Sequence, residues 1–129
     1  MDADHIRELF SAFGTVQVRR MFGGAGLFAN GLMFGLVSGG DIYLKADVDS
    51  VPAFENEGCG PFTYGTKTGR RAIMSYWRLP DRLYDDAEEL ALWAARALAI
   101  AQRARTLPAG RRARTKKSTA KKARRRAAP

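Results

Sequence analysis

The sequence predicts an α+β fold: an antiparallel sheet of hairpins packed with helices in two layers. Three observations lead there. Apolar residues recur with helical period near the two ends and with period two between them. The strand-like runs arrive in pairs separated by turn signals. No strand alternates singly with a helix, as a doubly wound parallel sheet would require.

Ile6, Leu9, Phe10 and Phe13 sit at i, i+3, i+4, i+7, with Asp2 and Asp4 ahead of them and Gly14 behind. This predicts a first amphipathic helix over residues 4–13, with acids at its positive end. From Val16 the period changes, through Val16/Val18 and the runs 24–29, 32–37 and 42–45. Asn30-Gly31 joins two of these runs and suits a two-residue hairpin turn, whose central positions need positive φ. Ser38-Gly39-Gly40-Asp41 turns the next pair, giving a meander of three or four strands.

Residues 47–57 read as a short helix, with Asp47, Asp49 or Ser50 as cap, Pro52 in its first turn and Gly58 as its stop. Residues 62–65 and 72–77 then form a second hairpin about the loop 66–70. Asp85 and Glu88 have capping-box spacing, and Leu90, Trp93, Ala94, Ala97, Leu98 and Ala101 follow helical period to about residue 105. The element order is therefore α-β(3-4)-α-β(2)-α.

Charge divides the chain in two. Residues 107–129 hold ten of the 22 Lys and Arg and none of the 13 Asp and Glu, so residues 1–106 are close to neutral. A run of like charge without large apolar residues cannot offset its ordering entropy. Residues 1–106 are read as one domain, of ordinary size for a single core, and 107–129 as a disordered basic tail. Cys59 is the single cysteine, which excludes an internal disulfide and any multi-cysteine metal site and points to a reducing cytoplasm. The N-terminus has acids where a signal peptide needs bases, and no uninterrupted apolar run approaches membrane-spanning length; export and a membrane span are not expected.

The runs Arg19-Arg20-Met21-Phe22-Gly23-Gly24-Ala25-Gly26-Leu27-Phe28, Met33-Phe34-Gly35-Leu36-Val37, Asp41-Ile42-Tyr43-Leu44-Lys45, Pro61-Phe62-Thr63-Tyr64 and Met74-Ser75-Tyr76-Trp77 occur in that order. With the closing Leu90-Ala91-Leu92-Trp93-Ala94 helix, they resemble the N-terminal domain of the TfoX/Sxy family of competence regulators. The resemblance runs from about residue 5 to 105. It implies a two-layer α+β domain in a bacterial cytoplasmic protein. Better-known members promote expression of DNA-uptake genes together with the cyclic-AMP receptor protein and carry a second, C-terminal helical domain. Here a basic tail follows residue 105, and the C-terminal TfoX domain is not expected.

Gly23-Gly24-Ala25-Gly26 suggests a phosphate loop, but no GKS or GKT follows and the run leads into a strand instead of opening a helix. Structural glycines that allow a bulge or close packing beneath Phe22 and Phe28 are the better reading. His5 and Cys59 make at most one nucleophile and base pair without an orienting third group. No catalytic, cofactor-binding or metal-binding residues are assigned, and the chain is read as not an enzyme.

Phe62, Tyr64, Tyr76 and Trp77 lie near Arg70, Arg71 and Arg78, an aromatic and basic hairpin able to stack bases or grip a protein. Alternation sets Tyr76 and Met74 on one face and Trp77, Ser75 and Ile73 on the other, and most of these aromatics are expected to pack, with arginines lying over them. Arg19, Arg20, Arg70, Arg71 and Arg78 are thus the candidate partner surface.

The tail is the stronger functional signal. Arg111, Arg112, Arg114, Lys116, Lys117, Lys121, Lys122, Arg124, Arg125 and Arg126 are interleaved with small residues, as in histone-like arms. They can neutralise phosphates but cannot read base edges, so sequence-nonspecific binding of DNA or RNA is expected. The functional expectation is a non-enzymatic cytoplasmic regulator or nucleoid-associated accessory that also contacts a transcription-regulator protein. The alternative is a protein- or small-molecule-binding module whose tail only solubilises it or binds other polyanions.

Overall fold

The computed structural model describes residues 1–21 and 23–106. Phe22 and residues 107–129, the stretch expected to be a disordered arm, lie outside the described residues.

Helix α1 (Ala3–Leu9) is capped by Asp2, whose carboxylate accepts the His5 N–H at 2.8 Å. It is shorter than its apolar period predicts. After Leu9 the chain tightens into three-residue turns, with Ser11 N–H to Glu8 O and Phe13 N–H to Phe10 O. That tightening brings both Phe10 and Phe13 onto Phe34, at ring distances of 5.6 and 5.2 Å. Aromatic packing here prevails over continued helix.

Four strands follow: β1 (Gln17–Met21), β2 (Gly24–Ala29), β3 (Leu32–Ser38) and β4 (Asp41–Lys45). The turns are those the sequence signals, with φ of 53° and 77° at Asn30 and Gly31 and 59° and 83° at Gly39 and Gly40. Helix α2 (Val51–Asn56) has Pro52 in its first turn, and the Asp47 carboxylate accepts the N–H groups of Asp49 and Ser50 ahead of it. Strands β5 (Pro61–Thr66) and β6 (Gly69–Arg78) form the second hairpin, longer than its predicted runs because the loop closes to Lys67-Thr68. The six strands form one antiparallel sheet in the order β1-β2-β3-β4-β6-β5.

A short 3-10 helix (Asp81–Asp85) leads into α3 (Ala87–Thr106). The capping residue is Asp86, not Asp85: its carboxylate accepts the Glu89 N–H at 3.1 Å. Asp85 is consumed by the 3-10 turn, which moves the start of α3 by one residue. Among the described residues no helix is long and apolar enough to cross a membrane.

All three helices pack on one face of the sheet. Leu27, Phe34, Ile42, Leu44 and Trp77 meet Ile6 and Phe10 from α1 and its following turn, Phe54 from α2, and Leu90, Ala94 and Ala97 from α3 in one buried cluster. Phe34 reaches it through a bulge. Leu27 opposes Gly35 and Phe28 opposes Met33, so Phe34 is an extra residue on β3 and its ring turns inward.

Candidate nucleic-acid and partner surface

Among the described residues no helix packs on the opposite face of the sheet. Tyr43 and Lys45 alternate with the buried Ile42 and Leu44 on β4 and therefore leave toward this outer face, Lys45 at the strand's end also bordering the cleft between α2 and α3. Their cross-strand partners, Leu36 on β3 and Arg78 and Tyr76 on β6, point the same way. Phe62 joins them, its ring 5.0 Å from that of Tyr43. On β2, Phe28 carries the Arg19 guanidinium 4.8 Å above its ring. Met21, Phe28 and Met33 close over Gly26, where a Cβ would press against all three side chains. The outcome is a half-exposed layer of aromatic and methionine side chains.

Cations border this layer. The Lys45 ammonium lies 5.0 Å from the centre of the Tyr76 ring, and burial lowers its pKa. Burial also raises the pKa of the Tyr43 and Tyr76 hydroxyls, so both stay protonated donors. Arg78 bonds Asp81 at 2.8 Å, which holds the guanidinium charged. Among the described residues neither Arg19, Lys45 nor Arg71 has an ion-pair partner.

The five arginines predicted as a partner surface do not form one patch. Arg19 and Arg20 are consecutive on β1 and leave on opposite faces; Arg20 lines a cleft with Met1, Asp2 and Ile6 on the helical side. Arg70 and Arg71 diverge likewise. Arg70 donates to Thr63 Oγ1 at 2.7 Å, while Arg71 stands opposite Tyr64. The hairpin aromatics also separate. Trp77 is buried at 4% exposure, whereas Tyr64 is 42% exposed. Simple alternation fails for Ile73, because the β5–β6 register slips between Pro61, opposite Trp77, and Phe62, opposite Ile73. Ile73 consequently lines a cleft with Phe62, Leu36 and Met21.

Sequence reasoning missed how charge is divided within the neutral body. The strands hold six of its basic residues, Arg19, Arg20, Lys45, Arg70, Arg71 and Arg78, and one acid, Asp41. The other acids lie on helices, caps and turns. The signal was present, since every predicted helix began with acids while the strand-like runs contained nearly none. Summing charge over the body concealed it.

The remaining candidates resolve simply. Gly24 sits where a Cβ would collide with the Val37 carbonyl oxygen, so close backbone approach accounts for it. Cys59 is buried and burial raises its thiol pKa, leaving a protonated, weak nucleophile. His5 is exposed on α1. Among the described residues no cluster of His, Cys, Asp or Glu is placed to hold a metal ion. Between α2 and α3 lies an apolar cleft of about 240 Å³, lined by Phe54, Trp93, Ala97 and Ile100 with Lys45 and Arg96 at its sides. The ten basic residues of the tail lie outside the described residues.

A model of the TfoX N-terminal domain matches residues 8–101, from α1 through most of α3. The chain belongs to the TfoX N-terminal domain family. It is also similar to the DNA transformation protein TfoX1 of Aliivibrio fischeri (strain ATCC 700601 / ES114), 36% identical over 72 residues that cover 53% of this chain and 34% of that protein. The chain therefore matches about a third of the length of that relative. The TfoX N-terminal domain match spans the whole six-stranded sheet and so contains the outer face.

Proposed function

We propose that this TfoX N-terminal domain protein is a regulator, not an enzyme, which associates with nucleic acid through its basic tail and contacts a transcription-regulator protein through its folded domain. The observation that carries the reading is the division of charge: ten basic residues without an acid follow a body close to neutral. Such a run neutralises phosphates without reading bases, so it supplies proximity and leaves selection to the folded domain. The name of the Aliivibrio relative, a DNA transformation protein, is consistent with a role near DNA. A bacterial cytoplasmic setting, with association with the nucleoid, follows from the same reading.

Fluorescence anisotropy on two unrelated duplexes tests it, comparing the full chain with one ending at Thr106. The full chain should bind both duplexes alike, and the shortened chain should lose nearly all of that duplex affinity. Equal duplex binding by both chains would place the binding surface in the body and overturn the tail's role.

The α2–α3 cleft supports the second reading, a small-molecule-binding module. Absence of nucleic-acid affinity in the full chain would favour it.

A further inference from the structure

We infer that the outer face of the sheet is a binding platform for single-stranded nucleic acid. The inference rests on the nucleic-acid reading above and deepens it by giving the folded domain a ligand of its own.

Three observations converge. The first is the pairing of ring and cation: Lys45 lies on Tyr76, Arg19 on Phe28, and Arg71 stands opposite Tyr64. A flexible strand offers the matching pair, a flat apolar base beside an anionic phosphate, at every nucleotide. The second is that these three cations have no ion pair among the described residues, so they are available to an anion from outside. Lys45 is the most telling, because an ammonium whose pKa burial has lowered regains stabilisation when a phosphate approaches. The third is the division of charge between layers. With nearly all the acids on helices, caps and turns, the field of a near-neutral body directs a polyanion to the strands.

Shape selects the single strand. A duplex turns its base faces inward and presents phosphates to a flat surface, so the rings would contribute little. Unstacked bases can lie on Tyr64, Tyr76 and Tyr43 while the cations follow the backbone. A protein partner would be suited by the rings but leaves the cations unexplained unless it is acidic. The strand accounts for both.

The test uses the full chain and two labelled probes, an oligothymidylate of about 12 nucleotides and a mixed-sequence duplex of similar length. At about 0.3 M salt, where purely ionic binding is suppressed, the oligothymidylate should bind about tenfold or more tighter than the duplex. Tyr76→Leu and Lys45→Gln should each reduce single-strand affinity about tenfold and leave low-salt duplex binding unchanged. If Tyr76→Leu fails to fold, Lys45→Gln, which keeps the length of a half-buried side chain, carries the comparison. No single-strand preference, or one that survives the variants, overturns the inference and leaves this face to a protein. Low-salt duplex binding separates the two readings: its loss in the full chain removes the tail's role, while a single-strand preference that persists alone still supports the platform.

Discussion

Arg82 and Glu89 are joined by two parallel hydrogen bonds, Nη1 to Oε1 at 2.9 Å and Nη2 to Oε2 at 2.8 Å. Arg82 lies on the 3-10 helix and Glu89 in the first turn of α3, so the pair ties the short helix to the start of the longest one. Glu57, just past α2, binds the same guanidinium at 2.8 Å, and Trp93 donates to Glu89 at 3.2 Å. One arginine thus ties three helical elements together.

This arrangement predicts an acid-sensitive clamp. The Arg82 and Trp93 hydrogen bonds pull the Glu89 pKa down to about 2 from an ordinary 4.5. A carboxylate depressed in the folded state stabilises fully above its ordinary pKa and loses that contribution as pH falls toward the depressed one. Glu89→Gln should therefore lower the melting temperature at pH 7, and the gap from the parent should narrow between pH 4.5 and about 2. Thermal melts across that range check it; a gap independent of pH would mean that packing, not charge, holds the clamp.

The two aromatic roles on the second hairpin should separate on truncation. Trp77 is buried against Phe54 and donates its indole N–H to the Met74 carbonyl at 2.9 Å. Trp77→Ala should cost about 3 to 5 kcal/mol, a large part of the stability of a domain this small. Tyr64→Ala, at an exposed ring, should cost less than about 1 kcal/mol. Urea denaturation distinguishes them, and similar losses would mean that Tyr64 packs more closely than its exposure indicates.

Much of this was legible in the sequence because local signals and tertiary packing agreed. Asn30-Gly31 needed positive φ, Pro52 needed a first turn, and the change of apolar period located the strands. Some failures come from a neighbour distant in sequence, others from local geometry such as the 3-10 turn that takes up Asp85. Phe34 gathers Phe10 and Phe13 and shortens α1. The register slip opposite Phe62 moves Ile73 away from the face of Trp77. Arg19 and Arg20 look like one basic pair until β1 sends them to opposite faces. The residues of the outer face were read individually, but only the strand order makes them a surface.

Two glycines of this fold should respond oppositely to alanine. A Cβ on Gly24 would collide with the Val37 carbonyl oxygen across the β2–β3 pair, and backbone cannot move as a side chain can. Gly24→Ala should cost about 1 to 3 kcal/mol. Gly60 has open space about its Cβ position, and Gly60→Ala should be neutral or stabilise by up to about 1 kcal/mol through the unfolded chain. Denaturant midpoints measured side by side decide the matter.

Cys59 offers a chemical readout of burial. Desolvation raises its thiol pKa, so little thiolate exists near neutral pH and access is restricted. Alkylation with iodoacetamide at pH 7 should be slow in the folded chain and accelerate sharply in urea. Rapid labelling of the folded protein would reveal an activated thiol and reopen catalysis for this domain.

The tail makes the sharpest quantitative prediction. Lys and Arg that meet phosphates displace condensed counterions, so affinity falls with a power of the salt concentration set by the number of phosphates engaged. If about six of the ten positive charges engage, log K against log salt should slope near −5, and raising salt from about 50 to 200 mM should weaken duplex binding on the order of a thousandfold. Replacing Arg124, Arg125 and Arg126 together by Gln should flatten the slope by up to about three units, since each phosphate left unneutralised keeps about one counterion. The same triple variant should leave thermal stability unchanged, because the buried cluster of the described residues already joins all three helices to the sheet. A slope that stays near −5 in the variant would mean that the charges counted by salt lie elsewhere, and the strand-borne arginines and Lys45 would then be the cations to replace next.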